Sequence, residues 1–362
     1  MQKSTASKLK SLSEWLDIRI AEADPGDHLP TVREMMRRFS TAQRTVERAL
    51  QPYLEKGRIQ ARPGAGIIVC APRSEDDRET WEGDLLVLYR VSDSRIARNV
   101  LQEVEQRLKQ RNISVLQIGY STEEQALSVL GKIGNFKTCL LQVHFEVLSI
   151  EFLAALRKHV RSIVIDGVSA TGIDADAVGT NWREALSVAF HVLRDNGHER
   201  IAFLTSAHQA RQIAMARREY LLLCRSLPSP RSQWLIEIDK LPGGYSVADI
   251  QNALAQQCQE DGSLPFTALI VWGVTEGFML ERAIHELGAP VRDNLSVVML
   301  GSTDFASEHL NRFDVVGNAN AEKFDLFETL LADRVAFRDR EPETHYLEIS
   351  YKPHGSIIPI DF

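Results

Sequence analysis

The sequence lacks any run approaching the ~18 consecutive apolar residues that a membrane-spanning helix needs. Its opening residues, MQKSTASKLKSLSEW, hold no apolar stretch of signal-peptide length, so the expectation is a cytoplasmic chain. Cysteine is scarce. Cys70, Cys139, Cys224 and Cys258 lie far apart, with no C-x-x-C pair and no Cys/His ligand spacing, which argues against a zinc site or a disulfide framework. No G-x-G-x-x-G or G-x-x-x-x-G-K loop follows a strand-like run, so a nucleotide enzyme is not expected. Neither G-x-S-x-G nor H-E-x-x-H occurs. The chain is therefore read as a non-enzyme without a cofactor.

What is present is globular: 362 residues, 44% hydrophobic and 25% charged, enough for two or three domains. The net charge of −7 hides an asymmetry. Residues 1–72 hold 12 Lys+Arg against 8 Asp+Glu, a net of +4, and the remainder holds 30 against 41, a net of −11. A basic head on an acidic body implies two modules with different partners. Between them, residues 73–84 (RSEDDRETWEGD) are charged and without apolar period, and read as a linker.

Beyond the linker, short apolar runs alternate with amphipathic stretches. Strands are expected at Leu85–Tyr89, Ser114–Ile118, Thr138–Val143, Ser162–Asp166, Ile201–Thr205, Trp234–Ile238, Ala268–Trp272 and Leu295–Leu300. Helices are expected between most of them, as at Ile96–Arg111, Trp182–Asp195 and Thr275–Leu287. This alternation implies parallel sheets covered by helices, in two α/β lobes over residues 85–362. Asp166, Asp174 and Asp176 fall near one strand end. Loop aspartates more often cap turns than bind metal, so no metal is expected there.

In the head, Leu9, Leu12, Leu16 and Ile20 mark a first helix over Ser7–Ala21. Thr31 and Glu34 form a T-x-x-E capping box that starts a second, and Ser40 with Gln43 forms an S-x-x-Q box for a third. The third helix buries Val46, Ala49, Leu50, Tyr53 and Leu54 and exposes Gln43, Arg44, Glu47, Arg48 and Gln51. Pro52 is expected to bend or end it near Gln51. A hairpin follows, RIQA and GIIV around Arg62-Pro63-Gly64-Ala65-Gly66, with Pro then Gly suited to a type II turn. Three small helices and a hairpin make a winged helix-turn-helix over residues 1–72. The exposed start of the third helix carries side chains able to bond base edges, and its amides face phosphate.

The run LPTVREMMRRFSTAQRTVERALQPYLEKGRIQARPGAGIIV resembles the GntR-family DNA-binding domain. The family pattern runs L-P-[ST]-x-R-E-L, then S-R-x-T-V-R-x-A-L, then L-x-x-x-G-L-I and x-x-G-x-G-T-F-V. The resemblance implies operator recognition by a homodimer on a pseudo-palindrome, with Thr31, Arg33, Thr41, Gln43, Arg44, Thr45, Arg48, Arg62 and Gly64 at the DNA. Gln43 and Glu47 stand where the family has arginines, and Arg44 and Arg48 come one residue later. Glutamine suits adenine where arginine suits guanine, so the implied operator differs from the family's.

In the body, VIDGVSATGIDADAVGTNWREALSVAFHVLRDNGHERIAFLT resembles the core of LacI-type regulators, which have the two-lobed periplasmic-binding-protein fold. Gly197-His198-Glu199-Arg200-Ile201-Ala202 matches the family's G-H-x-x-I-A. The likeness continues through TALIVWGVTEGFMLERAIHELGAPVRDNLSVVML. It implies a small-molecule effector between the lobes, with Arg217, Trp272 and Asn181 as ligand-binding candidates. The family's acidic positions are altered: Asn181-Trp182 replaces D-N, Gly273-Val274 replaces N-D, and Leu300-Gly301-Ser302 replaces F-D-D. The implied effector is a sugar in the family and an unusual one here, or sensing is lost. The pairing of head and body resembles arabinose-repressor-type regulators. The expected function is a ligand-modulated transcriptional regulator, a repressor; the alternatives are an activator, a regulator without effector, or a solute-binding protein of a transport system.

Overall fold

The computed structural model describes residues 5–23, 26–55, 58–62, 66–69, 81–92, 94–144, 147–168, 173–227, 233–336 and 341–360. Two compact units divide the chain, Met1–Thr80 and Trp81–Phe362.

The first unit comprises α1 (Thr5–Glu22), β1 (His28–Leu29), α2 (Val32–Phe39), α3 (Gln43–Glu55), β2 (Ile59–Arg62) and β3 (Gly66–Val69). The strands form one antiparallel sheet in the order β1-β3-β2. Leu12, Leu16 and Ile20 of α1 meet Met35 of α2, Val46, Ala49 and Leu50 of α3, and Ile59, Ile67 and Val69 of the hairpin in one core. The Tyr53 hydroxyl donates to Asp17 at 2.7 Å and ties α3 to α1, whereas Leu54 is exposed. The type II turn expected around Pro63-Gly64 lies outside the described residues.

Two local expectations are corrected. Ser40 does not cap α3; it closes α2 in the left-handed conformation (φ 47°), its N–H turned back to the Arg37 and Met36 carbonyls. Pro52 neither ends nor shortens α3, which runs on to Glu55. The missing N–H deprives only the Arg48 carbonyl of a partner, and Pro52 is exposed, so water can serve that carbonyl.

The second unit is two-lobed. In chain order it comprises β4 (Trp81–Arg90), α4 (Arg95–Gln110), β5 (Val115–Tyr120), α5 (Glu123–Leu130), β6 (Asn135–Gln142), α6 (Ile150–Leu156), β7 (Val160–Asp166), β8 (Asp176–Gly179), α7 (Trp182–Asp195), β9 (Ile201–Ser206), α8 (Arg211–Cys224), β10 (Trp234–Ile238), α9 (Val247–Ala255), β11 (Ala268–Trp272), α10 (Gly277–Glu286), α11 (Ala289–Arg292), β12 (Ser296–Ser302), α12 (Ala306–His309), β13 (Asp314–Asn318), α13 (Asn320–Val335), β14 (Thr344–Tyr346) and β15 (Ser350–Lys352). One lobe is the sheet β14-β8-β7-β6-β4-β5, parallel throughout. The other is β10-β9-β11-β12-β13-β15, parallel except for β15.

Burial on both faces explains why the strands read as continuous apolar runs. In β4, Leu85 and Val87 pack under α4 and α13, while Leu86 and Leu88 pack under α5 and α6. The expected linker 73–84 is shortened, because Trp81–Asp84 belong to β4. There the polar residues find partners in neighbouring elements: Asp84 accepts from Ser114 at 2.9 Å and meets Lys137 at 2.5 Å. Residues 73–80 lie outside the described residues.

The chain passes between the lobes three times, at residues 179–182, 318–320 and 346–350. α13 is thereby returned to the first lobe, where Phe324, Phe327, Leu330 and Leu331 join its core. There Arg334 makes a two-pronged pair with Asp176 at 2.6 and 3.0 Å, both side chains buried. Asp176→Ala should leave a buried guanidinium without that carboxylate and destabilise the second unit by about 3–5 kcal/mol. The double change Asp176→Leu with Arg334→Met should cost markedly less, as read from denaturant unfolding midpoints.

Candidate functional site

Two regions gather the residues that the sequence marks for function. In the first unit, Thr31 caps α2 with a complete capping box: its N–H donates to the Glu34 carboxylate at 2.7 Å and its hydroxyl accepts from the Glu34 N–H at 3.3 Å. Arg33 is exposed on the same helix. Thr41 precedes α3, its N–H bonded to the Met36 carbonyl. Thr45 is buried in the first turn of α3, whereas Gln43, Arg44, Glu47 and Arg48 are exposed together. Gln43 donates its amide to Glu47 at 2.8 Å. Arg62 ends β2, and Gly64 lies outside the described residues.

In the second unit a cleft opens at the carboxyl ends of the parallel strands, where open α/β sheets bind ligands. It holds about 160 Å³ open to the centres of water-sized molecules, room for on the order of ten waters or one small metabolite. From the first lobe come Ile96, Ala97 and Val100 at the start of α4, Gln142 and Asp166 at strand ends, and Asn320 and Lys323 on α13. From the second come Trp182, Trp272, Leu300, Gly301 and Glu308. The rings of Trp182 and Trp272 lie 5.1 Å apart at 36°.

The charges here are largely matched. Asp166 pairs with Lys323 at 2.6 Å and accepts from the Gln142 amide at 3.0 Å. Asp304, on the loop after β12, accepts from the Asn320 and Ala321 N–H groups at 2.8 and 3.0 Å and so caps α13. Burial works against its ionisation, but these bonds and the Ser302 hydroxyl hold its carboxyl below the usual range. At the rim, Arg95 of one lobe meets Glu276 of the other at 3.3 Å.

Glu308 is the exception. Its carboxyl is buried beside Glu276 and Asp304 and accepts one bond, from the Ser302 N–H at 2.6 Å. Burial first, and then the two neighbouring negative charges, push it up to about 8. Glycine makes its seat: a Cβ on Gly301 would lie 2.4 Å from the Glu308 carboxyl carbon, and one on Gly317 would lie 1.8 Å from the Gly301 carbonyl oxygen.

Of the expected ligand contacts, Trp272 lines the cleft. Asn181 caps α7 and lines a smaller neighbouring pocket. Arg217 is not among the cleft-lining residues: it pairs with Glu237 and bonds the Gln209 side chain at 3.3 Å. Asp166, Asp174 and Asp176 do not converge, because each meets a different cation: Lys323, Arg157 and Arg334 respectively. His198 is buried and bonded to the Thr267 hydroxyl at 2.9 Å. Sequence reasoning does not single out Gln142, Glu308, Asn320 or Lys323. The one legible hint is Gly301, since a glycine inside an apolar strand marks a close approach.

Comparison of the sequence with protein-family models and with curated proteins finds no match. Among solved structures, the chain is similar to a LacI family transcriptional regulator from Enterococcus faecium with bound ribose: 16% identity, TM-score 0.61, covering 77% of this chain and 100% of that one. It is similar to the LacI family transcriptional regulator CCPA from Weissella paramesenteroides with bound glucose, at 16% identity and TM-score 0.59 over 76% of this chain and 98% of that one. A LacI family transcriptional regulator from Mycobacterium smegmatis gives 17% identity and TM-score 0.59, over 76% and 99%. The likeness is one of fold. It establishes the two-lobed, periplasmic-binding-protein-like architecture with parallel sheets. No described helix is long and apolar enough to cross a membrane.

Glu308 yields a pH signature. Its folded value is about 8 against an ordinary 4.5. Between these values the folded chain keeps a proton that the unfolded chain releases, so stability falls as pH rises through the window and is level in this respect outside it. Glu308→Gln should remove this share of the slope, as read from unfolding free energies across pH 4.5 to about 8.

Proposed function

We propose that the chain is a ligand-responsive transcriptional regulator, a repressor and not an enzyme, that binds a pseudo-palindromic operator as a cytoplasmic homodimer. Residues 1–72 act as a GntR-type winged helix-turn-helix and the two-lobed unit as a LacI-type effector and dimerisation domain. The observation that carries this reading is the outer face of α3, where Gln43, Arg44, Glu47 and Arg48 stand exposed together while Val46, Ala49 and Leu50 on the inner face join the core. A helix of this kind, preceded by a capped helix and followed by a hairpin, is built to enter a major groove. Arg44, Arg48 and Gln43 are assigned to base edges or phosphates, Thr31, Arg33, Thr41 and Thr45 to positioning, and Arg62 and Gly64 to the wing.

The cleft supplies the regulatory half. The similar structures from Enterococcus faecium and Weissella paramesenteroides hold ribose and glucose, which supports a small-molecule site in this fold. Effector and operator must then alter each other's affinity by the same factor.

Selection from random duplexes at two salt concentrations tests the reading. A preferred pseudo-palindrome with a salt-dependent affinity is expected. Arg44→Ala should cost about 1–3 kcal/mol of specific binding. Glu47→Ala removes a carboxylate from the DNA face and should raise affinity for every duplex. Binding with neither sequence preference nor salt slope overturns the proposal.

A further inference from the structure

Glu308 is the cleft-lining carboxyl without a counter-charge. Only 4% of the residue is exposed. Its carboxyl fills the space that a side chain at Gly301 would take: a Cβ there would lie 2.4 Å from Cδ, 2.5 Å from Oε2 and 2.6 Å from Oε1. Gly301 stands near the carboxyl end of β12, between Leu300 and Ser302. All three residues line the cleft, so the carboxyl sits on the cleft wall. Oε2 accepts from the Ser302 N–H at 2.6 Å. Oε1 has no partner, and it is not among the atoms cut off from solvent, as Glu276 Oε1 is.

The surrounding cations are spent elsewhere. Lys323 pairs with Asp166 at 2.6 Å, Arg95 with Glu276 at 3.3 Å, and Lys352 donates to the Thr303 carbonyl at 3.1 Å. The charges that act on Glu308 are the carboxylates of Glu276 and Asp304. The first has Arg95, and the second has the Ser302 hydroxyl and two N–H groups of α13. His309, next on α12, stacks on His354 and brings no positive charge: burial first, and then its neighbour, keep it neutral down to about 4. Glu308 therefore holds a proton through neutral pH, up to about 8, and that proton supplies the missing positive charge in the free chain. A ligand ammonium or amidinium can supply it instead, and adds a charge-assisted hydrogen bond to Oε1. A ligand carboxylate or phosphate would meet Glu276 and Asp304 as like charges.

Much of the remaining wall is apolar, with Ile96, Ala97 and Val100 from one lobe and Trp182, Trp272 and Leu300 from the other. We infer that the cleft selects a small organic cation, an ammonium or amidinium on an apolar or aromatic body, its N–H donated to Glu308 Oε1. This rests on the cleft being the effector site proposed above. As the cation binds, the Glu308 proton leaves to solvent and the carboxylate stays paired with the ligand. Below a pH of about 8, up to one proton is released for each cation bound.

The test is titration of the full chain with benzylamine, phenethylamine and benzamidine, followed by tryptophan fluorescence and by calorimetry in two buffers of different ionisation heat. Benzyl alcohol and benzamide are the uncharged counterparts, benzoate the anionic one, and ribose and glucose the sugars. At least one cation should bind at millimolar concentration or below and release a proton. Its affinity should rise about tenfold from about pH 6 to about pH 7, while the uncharged and anionic counterparts do not bind. Glu308→Gln keeps the shape and the acceptor for the Ser302 N–H but cannot ionise. It should weaken the cation about tenfold and abolish the proton release, with a melting temperature no lower than that of the unaltered chain. Failure of every cation, an affinity independent of pH, or unchanged affinity in Glu308→Gln overturns the inference. So does an uncharged counterpart that binds as tightly as its cation. Binding of ribose or glucose that Glu308→Gln leaves intact also overturns it, and leaves the cleft as effector site. A cation that binds through Glu308 yet leaves operator affinity unchanged upholds the ligand class and removes the regulatory reading instead.

Discussion

The three passages of the chain between its lobes are the constraint on which the second unit depends. Because β8 leads out of one sheet and α13 leads back onto it, neither lobe completes its core from a continuous stretch of sequence. Thr180 and Asn318, on the first two passages, are joined by a side-chain hydrogen bond. Asp304 of one lobe caps the helix that the other receives. Residues of the first two passages, among them Gly179, Thr180, Asn318 and Asn320, line the cleft, and any change in the angle between lobes must be taken up by the three passages.

The passages also explain what the sequence hides. The strands buried on both faces, such as Leu85–Tyr89 and Ala268–Trp272, are legible because their apolar runs are long and bounded by turns. β8, β14 and β15 are not, being three or four residues each and held by their neighbours rather than by a pattern of their own. β13, with its DVVGN sequence, carries only two apolar residues and owes its place to β12. In the first unit, Thr31 with Glu34 reads as a cap and is one, whereas Ser40 with Gln43 has the same spacing and is not. The difference lies in the left-handed turn at Ser40, which no side-chain pattern announces.

The site was less legible than the fold for a related reason. Trp272 stands at a strand end, where topology alone places ligand contacts. Arg217 has the right neighbours in sequence, but its guanidinium is drawn to Glu237 across the helix–strand packing. Gln142, Asn320 and Lys323 come from two distant segments that only the third dimension brings to one ion pair. Glu308 sits on a four-residue helix with no periodicity to flag it.

Gly301 and Glu308 occupy one volume between them. The strand is bare at 301, and the carboxyl that fills the space arrives from α12. A side chain placed at 301 must move that carboxyl off the Ser302 N–H it accepts from. The two positions therefore answer as a unit: the effect of a change at 301 depends on what stands at 308, and the two changes do not add.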